Sequence, residues 1–298
     1  MVALVTGAGG QLATELMKCA PVDVVTHALS VDELDITNAE QVDATFTRLR
    51  PAFVFNAAAY TAVDAAQEHE FEADRLNHRA VALLAHACTQ ARAKLIHVST
   101  DYVFAGDSML AYHTDHVTAP QSMYGRSKRA GELAALQAER ALVVRTAWLY
   151  SAHGKNFMKT MIRLMETRPE VRVVSDQVGT PTHAAGLASA LWTLARGGAE
   201  GIHHWTDAGV ASWYDFALAI RDEAALAGFA TANARIIAIP SSEYPTPAPR
   251  PACAILAKEK TWQAHGSPAQ HWREGLRTVL REYAASSAAQ RTLETNGQ

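Results

Sequence analysis

The sequence predicts an α/β protein with a Rossmann-type, doubly wound parallel sheet and a smaller substrate-binding lobe. Short apolar runs alternate with longer helical patterns over about the first 150 residues, and the first apolar run enters a glycine turn in "LVTGAGGQLA". Strand–helix alternation at this spacing builds right-handed βαβ units, whose strands pair in parallel. The regular alternation of strand and helix patterns ends after residue 150, which indicates a second lobe.

The first half contains five short runs that are rich in β-branched and aromatic residues, a composition typical of strands. The predicted strands are Val2–Val5, Val22–Thr26, Phe53–Ala57, Leu95–Val98 and Leu142–Arg145. Helical patterns fill the intervals at about 11–19, 38–49, 70–92 and 124–138. We therefore predict an NAD(P)-binding domain over residues 1–150, with a returning segment at about 184–220.

The second half is predicted to form the substrate-binding lobe from residues 151–183 and 221–284. A helix is expected over Asn156–Thr167 and a short strand over Val171–Val174. The stretch "IPSSEYPTPAPRPA" is a loop, because its prolines lack the N–H groups that a central strand needs. The last helix is predicted at about 268–284, and residues 285–298 are predicted to be a flexible tail.

Composition narrows the classes of partner. The chain has 298 residues, 49% of them hydrophobic, and a net charge of −3 without a basic stripe, so we expect neither nucleic acid nor a membrane surface as partner. No apolar run approaches the roughly 20 residues that span a bilayer. The three cysteines lie far apart and the N-terminal run is typical of a strand rather than a signal peptide, which predicts a soluble cytoplasmic protein.

The glycine turn predicts a dinucleotide site. Gly7, Gly10 and Ala13 follow the first strand, and small residues there let backbone N–H groups approach a pyrophosphate. The second strand ends without a carboxylate, so Asp35 and Ile36 are expected to contact the adenine. No arginine for a 2′-phosphate stands there, which leaves the choice between NADPH and NADH open.

Hydroxyl groups at the end of the fourth strand predict a reaction centre. Ser99 and Thr100 are expected at the carboxyl edge of the sheet, where doubly wound folds bind ligands. Tyr124 and Lys128 are four residues apart and share a helix face. We expect the ammonium to lower the pKa of the phenol, which is about 10 in its unperturbed state. This arrangement suits reversible hydride transfer, in which the cofactor reduces carbon and tyrosine supplies the proton.

These residues resemble the extended short-chain dehydrogenases/reductases, in the pattern Gly7-x-x-Gly10, Asn56-Ala57-Ala58, Ser99-Thr100 and Tyr124-x-x-x-Lys128. Within that superfamily, "STDYVFAG", "RTAWLY", "DQVGTPT" and "SWYDFA" are similar to the dTDP-4-dehydrorhamnose reductases, over residues 1 to about 284. The resemblance implies reduction of the C4 ketone of a dTDP-4-dehydro-6-deoxy-sugar with NADPH or NADH.

The resemblance also implies roles for individual positions. The catalytic positions are Thr100, Tyr124 and Lys128. The cofactor-binding positions are Gly7, Gly10, Gln11, Leu12, Asp35, Ile36, Ala57, Ala58, Ala59, Asn77, Tyr124 and Lys128. The substrate-binding positions are Thr100, Asp101, Tyr102, Trp148, Gln177, Thr182 and Arg250. Arg250 is assigned to the diphosphate, since a guanidinium can grip phosphate oxygens in a bidentate way.

The chain departs from the family at Cys253 and Ala254, where an Asn-Ser pair is usual, and this affects the presumed diphosphate site. The spacing of the histidines indicates no catalytic metal site. The resemblance implies Mg²⁺ dependence and a homodimer for some members only.

Two alternatives stay open. The first is another nucleotide-sugar enzyme of the superfamily, an epimerase or a dehydratase. A dehydratase would be expected to carry Asp-Glu after Thr100, whereas Asp101 is followed by Tyr102. The second is a non-catalytic regulatory subunit of the methionine adenosyltransferase type, against which the retained Thr100, Tyr124 and Lys128 argue.

Overall fold

The computed structural model describes residues 1–296. The strands, in chain order, are β1 (Val2–Thr6), β2 (Val25–Leu29), β3 (Phe53–Asn56), β4 (Lys94–Thr100), β5 (Ala141–Thr146), β6 (Leu149–Tyr150), β7 (Glu170–Val174), β8 (Val178–Gly179), β9 (Thr182–His183), β10 (Gly201–His204), β11 (Ala211–Ser212) and β12 (Arg235–Ile239). The helices are α1 (Gln11–Lys18), α2 (Ala39–Leu49), α3 (Glu70–Asp74), α4 (Ala80–Ala91), α5 (Met123–Ala135), α6 (Phe157–Thr167), α7 (Ala184–Arg196), α8 (Trp213–Leu226), α9 (Glu259–His265) and α10 (Trp272–Asn296).

A six-stranded sheet in the order β10-β5-β4-β3-β1-β2 organises the first half of the molecule. All of its neighbouring strands pair in parallel, which confirms the predicted doubly wound class. The chain passes from β1 outward to β2 and then returns to β3 on the other side of β1. This reversal opens a crevice at the carboxyl ends of β1 and β3, where such sheets bind ligands.

Helices cover both faces of this sheet. One face packs against α1 and α7, with Leu16, Leu191 and Trp192 in the shared core. The other face packs against α2, α4 and α5, with Phe46 and Leu84 in its core. All four residues of β3 are buried, as expected for a strand that is covered on both sides.

The remaining strands form three two-stranded pieces: β7 with β12, β8 with β11, and β6 with β9. A separate core of buried residues, including Ile162, Phe216, Ile220 and Leu276, holds α6, α8 and α10 around them. We call this region the second lobe, and its predicted domain limits and role in substrate binding stay a prediction.

Three predicted elements differ from the structure. The second strand lies at Val25–Leu29 rather than Val22–Thr26, because a turn in which Val24 N donates to the Pro21 carbonyl (2.9 Å) precedes it. The predicted helix over 70–92 contains a π-helical turn at Arg75–Arg79. The last helix extends to Asn296 rather than ending at about 284, since alanine-rich sequence with good helix propensity continues α10. The flexible tail over residues 285–298 stays a prediction, and residues 297–298 lie outside the described part.

Among the described residues, no helix is both long enough and apolar enough to cross a membrane.

Candidate active site

The glycine turn after β1 brings two segments of backbone together. Gly7 has φ +76°, in the left-handed region, and Gly10 N donates to the Gly7 carbonyl (3.1 Å). A Cβ on Gly7 would lie 3.0 Å from the Ala58 backbone, so a side chain would push the loop after β3 away. Helix α1 begins at Gln11, and its N-terminus therefore faces the crevice with unpaired N–H groups suited to a phosphate.

A row of buried polar side chains fixes the floor of the crevice across β1, β3 and β4. The Thr6 hydroxyl donates to Asn56 Oδ1 (2.7 Å) and accepts from Ala58 N (3.2 Å). Asn56 Nδ2 lies 3.2 Å from His97 Nδ1. Burial holds the pKa of His97 well below its ordinary value, so the imidazole is neutral and can accept this bond. Sequence reasoning missed Thr6 and His97, whose only signal is that they occur near strand ends.

The predicted catalytic positions lie close together at the end of β4. Ser122 caps α5 by accepting from Gly125 N (3.1 Å), which places Tyr124 in the first turn and Lys128 in the next. A Cβ on Gly125 would lie 2.3 Å from the Tyr102 carbonyl oxygen, so glycine lets α5 approach the segment after Thr100. The Tyr102 and Tyr124 rings then meet edge to face, with centroids 5.5 Å apart.

The protonation of Tyr124 differs from the expectation. Burial raises the pKa of Tyr124 to about 12, against the opposing effect of the Thr100 hydroxyl. The predicted lowering by Lys128 is wrong for this structure, because Lys128 Nζ is turned to the Val98 carbonyl and donates to it at 2.6 Å. Burial lowers the pKa of Lys128 to about 8, and the charge of Glu132 opposes that shift. Tyr124 is therefore a phenol that holds its proton.

Asp101 is a buried carboxyl group beside this pair. It accepts a hydrogen bond from the Thr100 hydroxyl (2.9 Å), and Thr100 Oγ1 accepts in turn from Tyr102 N (3.3 Å). Burial raises the pKa of Asp101 to about 7, although the bond from Thr100 acts in the opposite direction. The strand-end hydroxyl is thus held between Asp101 and Tyr124.

An ion pair beneath the site anchors α5 to the sheet. Arg145 of β5 donates from Nε to Glu132 Oε1 (2.7 Å) and from Nη2 to Oε2 (2.8 Å). The exposed fractions of the two side chains are 1% and 0%. Burial alone would raise the pKa of Glu132, but the hydrogen bonds and charge of Arg145 bring it below its ordinary value. Sequence reasoning missed this pair, since the two residues belong to different elements.

A cavity of about 800 Å³ opens at this edge of the sheet. The predicted site residues that line it are Gly7, Gly10, Gln11, Leu12, Asp35, Ile36, Ala57, Ala58, Ala59, Thr100, Asp101, Tyr102, Tyr124, Lys128 and Trp148. The cavity therefore joins the glycine turn, the reaction centre and the start of the second lobe in one space.

Four predicted residues lie outside this lining. Asn77 is buried in the π-helical turn, where its side chain bonds the Tyr60 backbone and the Ser127 hydroxyl. Thr182 is fully buried and Gln177 is half-buried. Arg250 donates from Nη2 to Asp64 Oδ2 (2.7 Å).

Trp213 lines the cavity, although the sequence analysis did not predict it as a site residue. It begins α8 and stacks on Trp148, with ring centroids 3.4 Å apart and planes inclined by 7°. The motif "SWYDFA" pointed to this segment, but no local pattern indicated that its tryptophan reaches the cavity. Lys155 also lines the cavity and was not predicted.

The resemblance implied Mg²⁺ dependence for some relatives, so we looked for side chains that could bind a divalent cation. One group of three has suitable ligand atoms close together. Glu15, His153 and Glu282 converge at the end of α1. Lys18 Nζ lies among them, 3.2 Å from Glu15, 2.5 Å from Glu282 and 2.7 Å from His153 Nε2. Because this ammonium already neutralises the carboxylates, the arrangement does not fit a divalent cation.

The parallel sheet, its glycine turn and the Thr100, Tyr124 and Lys128 centre define an oxidoreductase of the short-chain dehydrogenase/reductase type. The family described as the RmlD substrate binding domain matches residues 1–285, and the chain belongs to it.

Curated relatives match nearly the whole chain. The spore coat polysaccharide biosynthesis protein SpsK of Bacillus subtilis is 39% identical over 287 residues, which are 95% of this chain and 98% of that protein. The dTDP-4-dehydrorhamnose reductase of Escherichia coli is 36% identical over 295 residues, 96% of this chain and 99% of the relative.

Solved structures also match nearly the whole chain. The dTDP-4-dehydrorhamnose reductase of Bacillus anthracis in complex with NADP has a TM-score of 0.88 at 34% identity, and the match covers 94% of this chain and 99% of that one. A UDP-glucose 4-epimerase of Thermus thermophilus, at a TM-score of 0.79 and 19% identity over 96% and 99% of the two chains, shares the fold alone.

Proposed function

We propose that this protein reduces the C4 ketone of dTDP-4-dehydro-L-rhamnose to dTDP-L-rhamnose, with NADPH or NADH as the hydride donor. The observation that carries the proposal is the buried, protonated Tyr124 beside Thr100, in a cavity that also contains the glycine turn. The names of the relatives and the NADP in the Bacillus anthracis structure support this choice of substrate and cofactor.

The cofactor would occupy the part of the cavity nearest β1. The Gly7–Gly10 turn and the N-terminus of α1 suit its pyrophosphate, because unpaired N–H groups and the helix dipole favour negative charge. Asp35 and Ile36 line the end that would receive the adenine. Ala57 and Ala58, held by the bond from Ala58 N to Thr6, leave space for a ribose or a flat ring against the backbone. When bound, the cofactor supplies the hydride.

The chain itself would supply the proton. The hydroxyls of Thr100 and Tyr124 would orient the ketone oxygen, and Tyr124 would donate its proton to that oxygen as the hydride arrives. A buried phenol gives up a proton only if the resulting charge is compensated. Lys128 is charged at neutral pH even with its pKa near 8, and its ammonium would compensate the phenolate after turning from the Val98 carbonyl toward Tyr124.

The second lobe would hold the substrate. Asp101, Tyr102 and Trp148 line the same cavity as Tyr124, and the sugar would lie against them. Arg250 is assigned to the diphosphate, and Gln177 and Thr182 to the vicinity of the nucleotide. Cys253 N donates to the Gly106 carbonyl (2.7 Å) and Ala254 N to the Val178 carbonyl (3.2 Å), so this departure from the family keeps backbone bonds that anchor the loop.

The test is the loss of NADPH or NADH absorbance with the purified chain and dTDP-4-dehydro-L-rhamnose, beside a UDP-sugar control. We expect stoichiometric oxidation and formation of dTDP-L-rhamnose. Tyr124→Phe should lower kcat by about 10²- to 10⁴-fold with nearly unchanged cofactor affinity, since it removes one proton donor. Tyr283→Phe, whose ring stacks on Phe229 in the second lobe, is the matched control and should keep its activity.

Each contrary result has a separate meaning. Turnover by Tyr124→Phe at the wild-type rate would contradict the role of Tyr124. Conversion of a nucleotide sugar without net cofactor oxidation would favour an epimerase. Cofactor binding without any turnover would favour the non-catalytic alternative.

A further inference from the structure

One wall of the cavity is built from two stacked indoles, Trp148 and Trp213. Trp148 follows β5 of the large sheet, whereas Trp213 is the first residue of α8 in the second lobe. The two residues are thus supplied by separate parts of the fold. Their centroids lie 3.4 Å apart with nearly parallel planes. Isolated aromatic pairs prefer offset or edge-to-face geometry, so the surroundings impose this face-to-face stack.

The backbone of Trp148 is held in an uncommon conformation. Its φ is +46°, one of three positive values among the described non-glycine residues. Bulky side chains rarely adopt this region, and such residues persist where surrounding contacts over-determine them, most often at functional sites. The Trp148 carbonyl accepts from Thr182 N (3.1 Å), and the next residue begins β6, which pairs with β9. Pairing with β9 therefore holds Trp148 at its carbonyl side, where the chain continues into β6.

Gly179 makes room for the indole of Trp148. A Cβ on Gly179 would lie 2.8 Å from Cε2 and 2.9 Å from Nε1 of that ring. The φ of Gly179 is outside the left-handed region, so the backbone itself does not require glycine there. The space beside the ring is the remaining reason for glycine at this position.

The position of Trp213 is fixed independently. Ser212 caps α8 in a reciprocal capping box with Asp215, which holds the first turn in place. Ala211 pairs with Gly179 across β11 and β8, so the same small sheet supports both the glycine and the tryptophan. Phe157 also packs on Trp213, with centroids 4.6 Å apart.

We propose that Trp213 and Gly179 are positioning residues, which together hold the Trp148 indole in the one orientation that contacts the sugar ring of the substrate. This inference rests on the proposed function for the identity of the sugar. Its consequence is selective: the two residues should govern the part of the affinity that the sugar contributes. Affinity for the nucleotide part and for the cofactor should not depend on them.

The experiment compares wild-type protein with Gly179→Ala and Trp213→Leu. The readouts are Kd for dTDP-L-rhamnose, dTDP and NADPH, together with the near-ultraviolet circular dichroism of the stacked indoles. We expect each variant to lose the indole signal and to bind dTDP-L-rhamnose about tenfold more weakly, as small misplacements of positioning groups do. Kd for dTDP and NADPH should stay within about twofold, since these substitutions change no group assigned to the nucleotide part or the cofactor, and sites without shared contacts act independently.

Two further variants sharpen the result. In the double variant Gly179→Ala/Trp213→Leu, the loss should not exceed that of the larger single variant, because both act through the same ring. Gly186→Ala is the matched control: its Cβ would meet Asp207 Oδ1 at an ordinary 3.6 Å, and it should bind as the wild type does.

The inference is overturned if both variants lose the indole signal yet keep the wild-type ratio of Kd for dTDP to Kd for dTDP-L-rhamnose. An equal loss of affinity for dTDP or NADPH would also overturn it, since that is general damage. These measurements need no turnover, so failure of wild-type protein to oxidise NADPH or NADH would contradict the proposed function alone. If wild-type protein binds dTDP-L-rhamnose no better than dTDP, the assignment of this wall to that sugar fails.

Discussion

The half built on the six-stranded sheet and the second lobe contribute to the same cavity by different means. In the first half, one six-stranded sheet carries the glycine turn, the alanine segment and Thr100 to a common edge. In the second, three two-stranded pieces and long loops place single side chains there. The register of parallel strands therefore places the residues of the proposed cofactor site, whereas side-chain contacts across loops place those of the proposed substrate site. We expect substitutions to damage stability in the first half and selective binding in the second.

Two ion pairs illustrate this contrast, one within the first half and one that joins the second lobe to the first half. Glu132 and Arg145 are completely enclosed beneath α5. Arg250 of the proline-rich loop pairs with Asp64 near the cavity, and their side chains are 20% and 42% exposed. A buried charge that loses its partner is costly, whereas an exposed one is solvated.

The largest expected effect is that of Glu132→Gln on stability. The variant leaves the Arg145 guanidinium buried without a carboxylate, which costs about 3–5 kcal/mol of the free energy of unfolding. Urea denaturation measures this difference. The exposed pair Arg140–Glu200, 3.7 Å apart, offers the control Glu200→Gln, which should change stability by no more than about 0.5 kcal/mol. If Glu132→Gln and Glu200→Gln had the same free energy of unfolding, the predicted difference between the buried and the exposed ion pair would be contradicted.

Substitution of Arg250 is expected to have an intermediate effect, which should be confined to the affinity for dTDP. Arg250→Ala should weaken dTDP binding by about 1.5–3 kcal/mol, the usual worth of a hydrogen bond to a charged group. Asp64→Asn should weaken it less, because Asp64 accepts from both Ala248 N (3.1 Å) and Arg250 and so orients the loop.

Calorimetric titration with dTDP and with NADPH distinguishes these effects. Affinity for NADPH should stay unchanged in both variants. Arg235→Ala, which removes an exposed pair with Glu170, is the matched control. Undiminished dTDP binding by Arg250→Ala would contradict the assignment to the diphosphate.

The last comparison concerns two buried carboxyl groups, whose contribution to the free energy of unfolding depends on pH. Burial raises the pKa values of Asp101 and Asp207 to about 7 from 3.8. Asp101 lines the cavity, whereas Asp207 lies outside the lining and accepts from His183 N (3.2 Å). A raised pKa means that the native state binds the proton more tightly, so this contribution to stability falls as pH rises from about 4 to about 7.

Asp207→Asn removes that contribution without removing the acceptor for His183 N. The stability of the variant relative to wild type should therefore increase from pH 4.5 to pH 7 and become constant above it. Denaturation at several pH values measures the difference. A difference that stays constant over this range would show that Asp207 titrates as it does in the unfolded chain.

The sequence by itself determined the parallel sheet, the glycine turn and the types and spacing of the proposed catalytic residues. These features depend on local periodicity: apolar runs of strand length, a turn at the end of the first run, and Tyr124 and Lys128 on one helix face. The same reasoning misplaced β2 by three residues and ended α10 early, because neighbouring-strand register and helix extension are not marked by a local stop signal.

Only the tertiary structure decided the state of those residues. Burial raises the pKa of Tyr124, and Lys128 is turned to Val98, so the expected effect of the lysine on the phenol is absent. The contact of Arg250 with Asp64 spans 186 positions, and the Trp148–Trp213 stack joins two lobes. Desolvation and long-range contacts depend on which elements pack together. The spacing of residues along the chain does not predict that packing.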